Sequence, residues 1–190
     1  RFFEPDPTAI VFVRTTEQVV ALVRFARKQS LGLVPSGGRT GLSGGACATN
    51  REVVVSFERM NQVLEFSYAD ASVTVQPGVI TANLQAFAQE KGLYYPVDFA
   101  SSGSSQIGGN IATNAGGIRV LRHGMTREQI SGLKVVTGTG ELLELNRGLT
   151  KNNTGYDLRH LFIGSEGTLG FVIEATVQLK ATPEKATVIL

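Results

Sequence analysis

Pro35-Ser36-Gly37-Gly38-Arg39-Thr40-Gly41-Leu42-Ser43-Gly44-Gly45 is the stretch on which the reading of this chain turns. It continues the short apolar run Leu33–Pro35, which has the make-up of a strand. Its five glycines let successive backbone N–H groups point into one concavity, a nest for an anion. Arg39 adds a charge-assisted donor, and Ser36 and Thr40 add hydroxyls. No Gly-Lys-Ser/Thr follows, so the loop is not a P-loop. No Gly-x-Gly-x-x-Gly opens a long helix, so it is not the fingerprint of a doubly wound dinucleotide fold either. Taken alone, the run also reads as an ordinary glycine-rich turn.

Two further clusters change the weighing. The 190 residues include 22 glycines, against about 7% in an average protein, and most gather at 36–46, 103–117 and 164–170. Gly103-Ser104-Ser105-Gln106-Ile107-Gly108-Gly109-Asn110-Ile111-Ala112-Thr113-Asn114-Ala115-Gly116-Gly117 is almost uncharged and poor in large side chains. It is expected to lie as a loop against a flat polar molecule, offering backbone N–H groups and the amides of Asn110 and Asn114. A close-packed buried turn is the other reading. Pro77-Gly78-Val79 is a tight turn that can supply one more donor. In Gly164-Ser165-Glu166-Gly167-Thr168-Leu169-Gly170, Glu166 can accept from a ribose or a ring N–H, or is simply an exposed turn residue. Separate anion nests joined by amide-rich loops suit a ligand with a diphosphate and a large heteroaromatic ring system. That describes a dinucleotide.

The surrounding segments predict an α+β fold. Ile10–Val13 reads as a strand, followed by a helix capped by Thr15 or Thr16 that carries Val19, Leu22, Val23 and Ala26 on one face. This helix runs to about Ser30, with Gly32 as its stop. With strands at Leu33–Pro35 and Val53–Phe57 it makes a small parallel βαβ unit. Val63–Phe66 and Ser72–Gln76 are short strands around the turn Tyr68–Ala71. Thr81 is expected to cap a helix to Lys91, stopped by Gly92. Leu133–Thr137 and Glu141–Leu145 form a hairpin, and Phe171–Lys180 alternates with Ile173, Ala175, Val177 and Leu179 on one face. A boundary is placed near residue 75, dividing a first subdomain, 1–75, from a second, 76–190.

Eighteen Lys+Arg against sixteen Asp+Glu is too balanced for a protein built to grip nucleic acid. No apolar run approaches the ~18–20 residues of a membrane span, and no signal stretch opens the chain. The expected location is therefore cytoplasmic, and the sequence gives no support for membrane association. A single cysteine, Cys47, and two histidines, His123 and His160, exclude an internal disulfide framework and make a zinc site unexpected. A start at Arg1 and an apolar end at Thr187–Leu190 read as a piece of something longer.

In this order, Pro35–Gly45, Gln106–Gly117, Asn153-Thr154-Gly155-Tyr156-Asp157-Leu158 and Phe162–Gly170 resemble the PCMH-type FAD-binding domain of the vanillyl-alcohol-oxidase family. The nearest branch holds glycolate oxidase D-subunits, D-lactate dehydrogenases and D-2-hydroxyglutarate dehydrogenases. The resemblance implies two subdomains with FAD between them. Some relatives attach flavin through His or Cys, but Cys47 just beyond the first loop stands in no matching tether motif, so noncovalent binding is expected. Ser36, Gly37, Gly38, Arg39, Thr40 and Gly41 would meet the pyrophosphate. Pro77, Gly78, Ser104, Ile107, Gly108, Gly109 and Asn110 would flank the flavin and ribityl chain. Thr113, Asn114, Gly116 and Gly117 would line the ring edge, and Glu166, Gly167 and Ile173 would make the remaining contacts.

The implied reaction oxidises a 2-hydroxy acid: the Cα hydrogen leaves as hydride to flavin N5 while a base takes the hydroxyl proton. His123 stands in Arg122-His123-Gly124, where the branch often has Arg-Tyr-Gly. It is the candidate base or relay, with Arg119 and Arg122 as candidate carboxylate partners; a hydrogen-bonded loop histidine and solvated arginines are the plainer readings. His160 is expected to be structural. The resemblance also implies a C-terminal cap domain that supplies most substrate-binding residues, expected to begin about where these 190 residues stop. A sugar-alcohol oxidase or cell-wall-precursor reductase on the same fold, and a non-catalytic flavin-binding module, are the competing readings.

Overall fold

The computed structural model describes residues 4–149 and 151–184, so the two chain ends that suggested a longer protein lie outside it. The first unit is β1 (Ala9–Phe12), α1 (Thr16–Lys28), β2 (Leu33–Ser36) and β3 (Val53–Ser56). β3 lies between β1 and β2 and is parallel to both, Val53 standing level with Ala9 and Leu33. α1 starts with a reciprocal cap: Gln18 N–H donates to the Thr15 hydroxyl at 3.3 Å, and Arg14 N–H donates to Gln18 Oε1 at 2.8 Å. Val19, Val23 and Ala26 are its buried stripe. Its end differs from the prediction. Ser30 takes the left-handed turn at φ 54°, and Leu31 N–H closes on the Ala26 carbonyl at 2.9 Å. Gly32 instead makes room for Glu52, whose Cγ would stand 2.8 Å from a Cβ there.

After β4 (Val63–Ser67) and β5 (Ser72–Val75) come α2 (Thr81–Glu90), β6 (Leu93–Tyr94), α3 (Ile107–Thr113), α4 (Val120–His123), α5 (Thr126–Gln129), β7 (Ile130–Thr137), β8 (Leu142–Leu145), α6 (Arg159–Phe162), β9 (Gly170–Gln178) and β10 (Lys180–Ala181). β4-β5-β9-β7-β8 form one antiparallel sheet in that order. The change of sheet thus falls between Ser56 and Val63, ahead of the boundary expected near 75, because β5 pairs with β9 from Ser72–Gln178 to Val75–Ala175. A hairpin read locally does not reveal which distant strand it extends. β9 alternates as predicted, burying Phe171, Ile173, Ala175 and Val177. Its other face is half-buried and carries Thr176 against Thr74 at 3.1 Å and Glu174 against Lys134 at 2.8 Å.

One core lies between this sheet and α2 and α3, with Leu84, Ile107, Ile111 and Val135 at its centre. A second joins the two units: Val19, Val23 and Val55 pack with Val136, Phe171 and Ile173. α3 is the main departure from the sequence reading. Residues expected to form a loop make a helix because Ile107 and Ile111, one turn apart, both bury fully, which outweighs the cost of Gly108-Gly109. Thr81 does not cap α2. It is the helix's first residue, wholly buried, with its hydroxyl 2.7 Å from both Ser105 Oγ and Asn110 Nδ2.

Candidate functional site

The first glycine loop is held at both ends and free between them. Ser36, 2% exposed, closes β2 below it, and Phe57 N–H donates to its carbonyl at 3.2 Å. At the far end Asp6 N–H reaches the Ala48 carbonyl at 2.9 Å, and Thr8 Oγ1 reaches Arg51 at 2.5 Å. From Gly37 to Ala46 no backbone N–H donates to another described residue. Unpaired donors of this kind are held for water or a ligand. Arg39 adopts a left-handed φ of 55° at the exposed crest.

Facing the loop, α3 supplies Asn110, Ala112 and Thr113, the 99–101 turn supplies Phe99 and Ser101, and the 164–167 turn closes one end. Gly164 N–H and Glu166 N–H donate to the Ile111 and Ala112 carbonyls at 3.0 and 2.8 Å, so the turn is tied to the C-terminal end of α3. Glu166 Oε2 would stand 3.2 Å from a Cβ on Gly45, so the turn meets the far end of the glycine loop. Arg127 braces both walls. Its N–H donates to Asn114 Oδ1 at 3.0 Å, its Nη2 to the Ile163 carbonyl at 2.6 Å and its Nη1 to the His160 carbonyl at 2.9 Å. Nη1 also lies 3.0 Å from His160 Nδ1, which must therefore accept, leaving the ring proton on Nε2 toward Asp157 at 3.3 Å. Hydrogen bonding from Arg159 holds the Asp157 carboxyl below its ordinary range. His160 is tied to Arg127 and Asp157 and does not line the cleft between these walls.

These walls enclose a cleft of about 440 Å³, within the ~300–1,000 Å³ of ligand pockets. Of the sequence-predicted residues, Gly37, Gly38, Arg39, Thr40, Gly41, Gly109, Asn110, Thr113, Gly116 and Glu166 line it. Pro77, Gly108 and Gly167 line a neighbouring cavity of about 40 Å³. Ser36, Gly78, Ser104, Ile107, Asn114, Gly117 and Ile173 line neither. Each has a structural reason. Ile107 and Ile173 are core, a Cβ on Gly78 would overlap the Phe57 carbonyl, and one on Gly117 would overlap that of Asp98. Ser104 presents its carbonyl to Gly38, and Asn114, in a left-handed turn at φ 49°, spends its amide on Arg127 and Met125. Asn110 reaches the cleft, but its Nδ2 is committed to Thr81.

His123 is not brought to the cleft. It packs edge-on to Tyr94 with ring centroids 6.0 Å apart, and partial burial, then the charges of Arg122, Lys180 and Arg119, lower its pKa. Arg119 is held by Asp98 at 3.2 Å and lies over the Tyr94 ring. The sequence reading missed Gln106, Ser101 and Phe99 in the wall. Ser101 belongs to the same run of small residues and was findable; Gln106 opens the Gln106–Gly117 motif with no role expected of it there, and Phe99 carried no pattern of its own. Among the described residues, no group of three or more His, Cys, Asp or Glu side chains comes together, and no helix is long and apolar enough to cross a membrane.

The donor set fits a dinucleotide carrying a diphosphate. The loop offers unpaired N–H groups beside Arg39, and Gly41 and Gly109 have no atom within 4 Å of where a Cβ would be, so ligand can approach the backbone. Comparison with known proteins agrees. A family described as FAD binding domain matches residues 7–146. The chain is 64% identical over all 190 residues to a D-2-hydroxyglutarate dehydrogenase of Stutzerimonas stutzeri, covering 41% of that protein. It is 41% identical over 188 residues, 99% of this chain, to glycolate oxidase subunit GlcD of Bacillus subtilis, covering 40% of it. In three dimensions, 93% of the chain superposes on 32% of an alkyldihydroxyacetonephosphate synthase with TM-score 0.81 and 30% identity. The chain thus spans about two fifths of the length of the curated relatives it matches. By the match over residues 7–146, and with a cleft whose donors suit the same ligand, this chain belongs to the FAD binding domain family.

Proposed function

We propose that these residues are the FAD-holding part of a dehydrogenase that oxidises D-2-hydroxyglutarate. The observation that carries the reading is 64% identity across the whole chain to an enzyme of that name. The relative named glycolate oxidase supports the wider class of 2-hydroxy acids. Likeness of fold to a synthase shows that the fold alone does not set the reaction.

In this reading the N–H groups of residues 37–46 and Arg39 hold the diphosphate, and the side chains of α3 and the 99–101 turn pack against the rest of the cofactor. Bound FAD supplies the hydride acceptor. The protein's part is to fix the cofactor in one pose and keep water from it. We further propose noncovalent binding, since no His or Cys lines the cleft among the described residues. Substrate contacts would come from the rest of the full-length protein, because the candidate base His123 and its candidate carboxylate partners Arg119 and Arg122 do not line the cleft, and Arg119 is held by Asp98.

The test is anaerobic mixing of the FAD-loaded full-length protein with D-2-hydroxyglutarate, D-lactate and glycolate while following flavin bleaching. Bleaching at the lowest concentration by D-2-hydroxyglutarate is expected. No bleaching by any hydroxy acid would sink the dehydrogenase reading and leave a flavin-holding module. Denaturing and filtering the yellow protein should release all flavin; colour kept on the polypeptide would overturn the noncovalent claim. The 190-residue piece loaded with FAD is expected not to turn over any of the three acids.

A further inference from the structure

Three buried polar atoms have no hydrogen-bond partner among the described residues: the Tyr95 hydroxyl, Gln129 Oε1 and Gln106 Oε1. Of these three residues, only Gln106 lines the cleft, and it lines the small cavity beside it as well. It is 9% exposed and stands at the seam where the glycine loop meets α3. Its Oε1 is 3.4 Å from where a Cβ of Gly37 would be, and its backbone is pinned by a bridge to Ile80 and by Asn110 N–H at 2.9 Å. The carboxamide is therefore placed by the fold, yet nothing in the fold satisfies it. A buried acceptor without a donor is rare in folded proteins and calls for an external partner.

The diphosphate of FAD carries no hydrogen to give. Its covalent neighbours on either side, the ribose and the ribityl chain, carry hydroxyls. Gln106 adjoins Gly37, the first residue of the proposed diphosphate nest, so the donors within its reach are those hydroxyls rather than the distant ring N–H groups. We propose that Gln106 Oε1 accepts a hydrogen bond from a sugar hydroxyl of the bound dinucleotide and thereby sets its register in the cleft. The proposal rests on FAD occupying this cleft.

The experiment compares wild type with Gln106→Met, of similar length and without the acceptor, in full-length protein stripped of FAD. FAD is titrated by fluorescence, FMN, ADP and 2′,3′-dideoxy-ADP are tried as separate probes, and the melting of the apoprotein is recorded. Expected is a roughly three- to twelvefold loss of FAD affinity (one neutral hydrogen bond) with apoprotein melting unchanged or raised, since the orphan acceptor is gone. A loss shared by FMN alone identifies the ribityl hydroxyls. A loss shared by ADP but absent for the dideoxy probe identifies the ribose. A loss that persists for dideoxy-ADP means a contact to phosphate and overturns the proposal. So does FAD affinity within twofold of wild type, or a melting temperature that falls together with affinity. Wild-type protein that takes up no FAD overturns the cofactor reading beneath it.

Discussion

From Gly37 to Ala46 the backbone donates nothing to the rest of the described protein, whereas across the cleft Gly103–Gly117 is folded and tied down along most of its length. Each segment holds five glycines, for two different reasons. Gly38 and Gly117 lack a side chain because another stretch of backbone, at Ser104 and at Asp98, already occupies the space. Gly41 and Gly109 have empty space there, opening on the cleft. Glycine enrichment around a binding site therefore mixes residues that let the protein pack on itself with residues that let a ligand come close. Substitutions separate the two kinds.

The largest effect is expected at Gly38→Val. Its side chain would meet the Ser104 carbonyl and the Ser105 Cα, backbone that cannot move aside, so the loss should exceed the ~1–3 kcal/mol of ordinary overpacking. Urea unfolding of the apoprotein would register it. A variant that unfolds like wild type and loses only FAD would move Gly38 to the ligand-facing kind. Next comes Arg127→Ala, which removes the guanidinium bonds to the His160 and Ile163 carbonyls ahead of the 164–167 turn and leaves the backbone N–H on Asn114 in place. A drop of about 1.5–3 kcal/mol in apoprotein stability is expected, with weaker FAD binding, and Arg127→Lys should recover little because one ammonium cannot reach His160 Nδ1 and the His160 and Ile163 carbonyls together. Recovery by lysine would mean that charge, not the fork, holds the turns.

Gly109→Ala sharpens the comparison in the opposite direction. With nothing within 4 Å and a helical setting, alanine should raise apoprotein stability by about 0.5–1 kcal/mol while weakening FAD binding. Unchanged FAD affinity would show that this face of α3 does not approach the cofactor. The smallest effect is a pH dependence. His123 has a lowered pKa in the folded state, so the unfolded chain binds the extra proton first as pH falls. Stability should therefore decline as pH drops below the unfolded histidine value of ~6.5, until the lowered folded value is passed. Melting curves from pH 7.5 to 5 should flatten slightly in His123→Gln, and an unchanged slope would rule this out.

The helix of residues 16–28, the β7–β8 hairpin and the alternation along β9 were legible because each depends on neighbours in sequence: caps, turn residues and a repeating apolar face. The glycine loop was legible as a donor nest for the same reason. α3 was not, since Gly108-Gly109 opposes a helix locally and only the burial of Ile107 and Ile111 against β9 overrides it. The cleft wall was half-legible. Composition marked Gly109, Thr113 and Gly116, yet gave the same mark to Gly117 and Asn114, which serve packing and turn geometry.

By itself, the sequence determined which backbone could turn tightly, which faces were apolar and which class of ligand such loops suit, because these are properties of residue type and spacing. Only the tertiary structure decided that β5 joins β9 rather than β3, that Ile173 belongs to the core, that His123 stands away from the cleft and that Gln106 is left without a partner. Each of those outcomes depends on residues distant in sequence meeting in space. A side chain's environment is set by what packs against it, and that information is not local to the segment that carries it.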